Sequence, residues 1–254
     1  MLAEALTADV FAILLVFARL GAALMLLPPF GETFVFSRAR LSLALAISVL
    51  IAPLAAPLLP PLPEAPIELL LIICGEIAVG LFIGGLARLL LSGLHTASIL
   101  VAYQTGLGTA TIFDPNMNEQ GVIISRFFLL VALLLLFTTD LHHALLVALI
   151  ESYRVLPPGA LPATGDFAGQ AINFISGAFV VAAQVAAPVL VVGLLFYLGL
   201  GLLGRLMPAI QVFFVALPLQ IALGFWVVML GLSAMMLWYM EYFDESLVRL
   251  YGGG

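Results

Sequence analysis

The chain has no lysine. Its eight basic residues are all arginine, and charged residues make up only 9% of the 254 positions. A soluble domain of this length carries about a quarter charged residues, so this chain cannot cover itself in water. The net charge of −6 is small and spread out, with no basic tract. That excludes nucleic acid or an anionic lipid surface as an electrostatic partner. Cys74 is the only cysteine, which rules out a disulfide framework and a CxxC site and leaves a small, buried apolar residue as the expectation. The first nine residues hold Glu4 and Asp9 and no base. The positive start of a cleavable signal peptide is missing, and the first apolar segment is expected to stay. The chain also lacks HExxH, GxSxG and P-loop motifs, and its Ser, His and Asp residues fall in no nucleophile–base spacing. No enzyme activity and no cofactor are expected.

What is present is apolar: 64% of the residues, with a mean hydropathy of +1.27. A membrane-spanning helix needs about 20 such residues, and six candidates follow. They are roughly 10–29, 41–59, 68–94, 122–150, 172–200 and 209–240. Six prolines between 53 and 66 end the second, and Pro188, Pro208 and Pro218 are expected to kink or interrupt the last two. The polar tail holds Glu241, Asp244, Glu245 and Arg249. The fold class is an all-α membrane protein of about six hydrophobic helices, several kinked or broken, forming one integral membrane domain over 1–254.

The segment 95–121 differs. It carries His95, Thr96, Ser98, Gln104, Thr105, Gly106, Gly108, Thr109 and Thr111 but no charge before Asp114. Residues 106–121 read as a loop or broken helix, too apolar for an aqueous loop and too polar for lipid. Irregular backbone at membrane depth persists only inside protein or beside a cavity.

Charges also sit where lipid is expected. Arg19, Glu76, Arg88, Arg126 and Arg205 lie in or at the ends of apolar segments. An ionisable group facing hydrocarbon costs at least about 2.5–3.5 kcal/mol, so these are candidate buried charges or subunit contacts. In the third helix Glu76, Gly80, Gly84, Arg88 and Ser92 recur at i, i+4 and form one stripe. Gly80 and Gly84 make a GxxxG that lets another backbone approach closely. Glu76 and Arg88 lie about 18 Å apart along a helix, so each needs another partner. Gly193, Tyr197, Gly201 and Arg205 make a similar stripe, with Gly193 and Gly201 as packing residues. Asp140, His142 and His143 read as a polar helix end at the membrane boundary rather than a metal site, which needs more ligands and a supported second shell. Met229, Met235, Met236 and Met240 read as core packing.

Several stretches, in order, resemble the FliR family, membrane components of the flagellar type III protein export gate. They are Pro28-Pro29-Phe30-Gly31-Glu32, Ser37-Arg38-Ala39-Arg40-Leu41, Gln104-Thr105-Gly106-Leu107-Gly108-Thr109-Ala110 and Phe113-Asp114-Pro115. His142-His143, Ser152-Tyr153 with Leu156-Pro157, and Ala186-Ala187-Pro188-Val189 follow. Arg205-Leu206-Met207-Pro208, Gln211-Val212-Phe213-Phe214 and Leu217-Pro218 complete the series. The resemblance covers about residues 10–240. It implies assembly with FliP and FliQ into a closed helical cone, joined by FlhB and FlhA, in the bacterial inner membrane at the flagellar basal body. It implies passage of unfolded export substrates through that cone, and a plug loop over residues 106–121. In that plug Gly106, Gly108 and Gly121 would give backbone freedom. Phe113 would fill space, and Asp114 and Pro115 would set a turn. The injectisome counterpart of the family and a stand-alone secondary transporter or channel are the alternative readings; broken helices and intramembrane charges also suit a transporter.

Overall fold

The computed structural model describes residues 2–107, 120–159, 164–206 and 212–251. Among them there is no strand. The helices are α1 (Leu2–Leu26), α2 (Ser37–Ala55, continued by a 3-10 turn Ala56–Leu58), α3 (Pro66–Gln104), α4 (Gln120–Thr138), α5 (Leu141–Val155), α6 (Thr164–Leu206) and α7 (Val212–Tyr251). Five are long and apolar enough to cross a membrane, and α4 with α5 makes a sixth candidate bent by 74°. The all-α membrane class therefore holds.

Helix α1 starts earlier than expected, at Leu2, and α6 runs longer at both ends, Thr164–Leu206; three further boundaries differ for a visible reason. Residues 95–104 continue α3 instead of leaving it. Their hydroxyls bond back to the helix itself, Thr96 to the Ser92 carbonyl (3.0 Å) and Ser98 to that of His95 (2.6 Å). Polar residues satisfied in this way do not break a helix. The fourth candidate is two helices, because Asp140 adopts the left-handed conformation with φ 58°. The polar tail after 240 is helical to Tyr251, with Arg249 and Glu245 paired at i, i+4 (3.4 Å). Prolines 188 and 218 lie within α6 and α7, which continue through them. Pro208 lies outside the described residues.

Contacts gather into two compact units. The first comprises residues 1–90, 136–175 and 244–254. Its core includes Leu15, Val16, Ala23 and Leu24 of α1, Ile83 and Leu86 of α3, and Leu145 and Leu149 of α5. Between α1 and α2 the chain turns through Pro28-Pro29, and Arg40 holds the turn. Its Nε donates to the Phe30 carbonyl (2.9 Å) and its Nη2 to the Glu32 carbonyl (2.9 Å). A charged donor bond contributes roughly 1.5–3 kcal/mol. R40M should therefore speed protease cleavage within 30–36 in detergent several-fold, while R38M, an exposed neighbour, should not. Equal cleavage in the two variants would remove Arg40 from this role.

The second unit comprises residues 91–135 and 176–243. Here the Ser98 hydroxyl, its own hydrogen given to the His95 carbonyl, accepts from the Ser125 hydroxyl (2.7 Å), joining α3 to α4, and the Trp238 indole donates to Gln184 (3.2 Å), joining α7 to α6. Phe128, Ala132, Val181, Ala186 and Tyr239 are among its buried residues. Met235, Met236 and Met240 are buried as expected for packing, whereas Met229 is exposed.

Candidate functional site

Within the first unit two charges singled out by sequence meet. Arg19 on α1 and Glu76 on α3 are buried, at 0% and 1% exposure. The guanidinium binds the carboxylate through two bonds, Nε to Oε2 at 2.7 Å and Nη2 to Oε1 at 3.0 Å. Its Nη2 also donates to the Leu156 carbonyl (2.9 Å) and Nη1 to the Ser152 hydroxyl (3.2 Å). The guanidinium carbon lies 4.1 Å from the centre of the Tyr153 ring. One side chain thus ties α1, α3 and the end of α5. Bidentate geometry with every nitrogen engaged is the condition under which a buried ion pair offsets its desolvation.

The approach that allows the pair is set one and two turns along α3. A Cβ at Gly80 would overlap the Arg19 carbonyl oxygen, and one at Gly84 would sit 2.6 Å from that of Ala23. Both glycines therefore pack backbone against backbone on α1.

The other predicted residues are placed differently. Arg88, Arg126 and Arg205 are exposed on the surface of the chain, not buried within it. Gly201 has open space where a Cβ would go, because residues 201–206 are exposed throughout. Cys74 is exposed too; two residues from Glu76, it falls on the other side of α3. Asp140, His142 and His143 bring one ligand atom each within 4.8 Å of one another. The His142 ring packs on Phe137 (4.9 Å between centroids), and its Nδ1 lies 3.3 Å from the Leu136 carbonyl. Asp140 and His143 are solvent-facing on a single turn, with His143 Nδ1 3.5 Å from Asp140 Oδ1 and the two imidazole rings 4.0 Å apart between centroids.

In the second unit the end of α3 is the focal point. Thr105 is buried, and Gly106 has φ +79°, the left-handed conformation that ends a helix and that glycine adopts freely. Gln220 of α7, 9% exposed, donates its amide to the Gln104 carbonyl (3.0 Å) and to the Tyr197 hydroxyl (2.9 Å). Gly193 lies against the Gln104 side chain. Sequence reasoning missed Gln220; its signal was an amide two residues after Pro218 in an otherwise apolar run. Beside this point lies a cavity of about 660 Å³ lined by Leu107, Ile123, Phe127, Phe128, Trp226 and Met229. Thr105 also reaches it, with its hydroxyl already donated to the Ala102 carbonyl (3.1 Å). Such a wall suits hydrocarbon or apolar side chains. Of the predicted plug residues, Gly108, Phe113, Asp114 and Pro115 lie outside the described residues, and Gly121 lies in the first turn of α4.

These features define an all-α membrane protein with a fully bonded internal ion pair and a set of exposed arginines on apolar helices. The chain belongs to the bacterial export proteins, family 1, which matches residues 10–246. Among similar proteins is the flagellar biosynthetic protein FliR of Caulobacter vibrioides, 37% identical over 239 residues, 94% of this chain and 95% of that one. FliR of Bacillus subtilis is 32% identical over 221 residues, 85% of each chain. FliR of Aquifex aeolicus is 28% identical over 234 residues, 92% of this chain and 90% of that one.

Proposed function

We propose that this chain is a non-enzymatic subunit of the flagellar type III protein export gate. In this role it helps form and close the conduit for unfolded export substrates in the bacterial inner membrane. The observation that carries the reading is the family match from residue 10 to 246, nearly the whole chain. The flagellar name of the relatives favours the flagellum over the injectisome. Exposed Arg88, Arg126 and Arg205 on apolar helices support a subunit role, since each would cost at least about 2.5–3.5 kcal/mol in lipid. Covered by sister proteins such as FliP and FliQ, with FlhB and FlhA joining, they gain counter-charges or water.

Residues 106–121 are the candidate plug in this reading. The exit geometry at Gly106 supports it: a left-handed glycine turns the chain out of α3 as the segment begins. Tagged protein, expressed with and without FliP- and FliQ-like neighbours and recovered in mild detergent, tests the subunit role. Co-purification with them, and poor yield without them, is expected. A stable protein recovered alone or only with its own copies would point to a transporter. Bulky substitutions at Gly106, Gly108 and Gly121 should alter export or ion tightness, and no change in either would refute the plug.

A further inference from the structure

Three consecutive residues at the end of α3 are each received by another helix of the same unit. The Gln104 side chain lies against Gly193 of α6, where a Cβ would overlap its amide. Thr105 lies against Gly224 of α7, where a Cβ would come within 2.6 Å of its methyl carbon. Gly106 faces the Gln220 side chain, whose Cδ would lie 3.2 Å from a Cβ placed there. The receiving residues are two i, i+4 pairs, Gly193 with Tyr197 and Gln220 with Gly224, so each pair presents one helix face.

A helix end leaves its last four carbonyls without intrahelical partners. At the end of α3 the Gln104 carbonyl is taken by Gln220, 116 residues away, while the Thr105 and Gly106 amides return to the carbonyls of Val101 (2.9 Å) and Tyr103 (3.2 Å). The same Gln220 amide donates to Tyr197, which fixes its direction. The cap is thus supplied in trans by a largely buried side chain held from both sides, and the pocket around it is cut by glycines.

We propose that Gln220, oriented by Tyr197 and flanked by Gly193 and Gly224, clamps the Gln104–Gly106 helix end and fixes where the following segment leaves the helix. Gln220 is then a positioning residue for the candidate plug; that last step rests on the plug reading above. Methionine matches glutamine in length but has no donor, and glutamate has the same shape but sets a carboxylate against the Gln104 carbonyl. Loosening should rise in the order wild type, Q220M, Q220E.

Hydrogen exchange of the full chain, purified in complex with its co-expressed partners, tests the clamp. Q220M should speed exchange at the Thr105 and Gly106 amides by roughly tenfold, with α2 amides unchanged as the reference. G224A attacks the clamp from the opposite face, through Thr105, and should act in the same place. Selective acceleration at 105–106 in either variant supports the clamp. No acceleration in both, or equal acceleration along the whole chain in both, overturns it. Ion leak of cells separates this inference from the reading beneath it. A variant lacking 108–119 should leak, and Q220M should leak in its presence but add nothing in its absence. Faster exchange without leak, together with a tight 108–119 deletion, would sink the plug and leave the clamp standing.

Discussion

R19M alone should cost about 3–5 kcal/mol of stability, and E76L alone a similar amount, because each leaves one buried charge without its partner. Arg19 and Glu76 are essentially inaccessible, so neither can turn to water when the other is lost. Removing both charges is a different experiment. In R19M/E76L no unpaired charge is left, and replacing a buried pair by hydrophobic residues of similar volume is often close to neutral. What remains is the Leu156 carbonyl stripped of its donor, a penalty of about 1–3 kcal/mol; Ser152 keeps its bond to the Leu149 carbonyl (2.6 Å). The double variant is therefore expected to be more stable than either single one. Unfolding midpoints in mild detergent, with steady-state abundance beside them, give the full cycle. Additive losses would mean that the pair is not coupled as its geometry requires.

G80A and G84A should each destabilise by about 1–3 kcal/mol, and leucine at either site by more. The added Cβ meets backbone oxygen on α1, which no side-chain rotation can relieve. Gly85, one residue on, has nothing within 4 Å of such a Cβ. G85A should be neutral or more stable by up to about 1 kcal/mol, the gain from alanine over glycine in a helix. Three near-identical substitutions on one helix thus differ in sign by position alone. The Gly80 contact is with Arg19 itself, so G80A should also weaken the ion pair and combine non-additively with R19M. Matching melting shifts for G80A and G85A would rule out the close approach.

Much of this architecture is legible in the sequence. Apolar runs of spanning length and the shortage of charge define the all-α membrane class, and the ordered motifs lead to the family. The i, i+4 spacing of Glu76, Gly80 and Gly84 places a charge and two small residues on one face of α3. It does not reveal that the partner is Arg19, 57 positions away, because that depends on how α1 lies against the face. Arg88 shares the stripe yet is exposed, since a row at i, i+4 drifts around the helix and leaves the contact after about three turns. The break at Asp140 escaped because apolar residues on both sides keep one period. Thr138, Thr139 and Asp140 in succession were the available hint. Gln220 escaped for a similar reason: one amide in a long apolar run has no pattern, and its meaning comes from the helix end it meets.

Helices α3, α6 and α7 have 39, 43 and 40 residues. At about 1.5 Å per residue each runs roughly 60 Å, twice the hydrocarbon thickness of a bilayer. Tilt absorbs only part of such an excess. Hydropathy therefore does not fix how deep these helices sit, because the bilayer cannot distinguish one half of such a helix from the other; in the proposed gate, neighbouring subunits would set that depth. A copy made in surplus of those neighbours has no place for half of its oily length. In the export-gate reading proposed above, such a surplus copy is expected to be unstable, and its steady-state level should follow that of its partners.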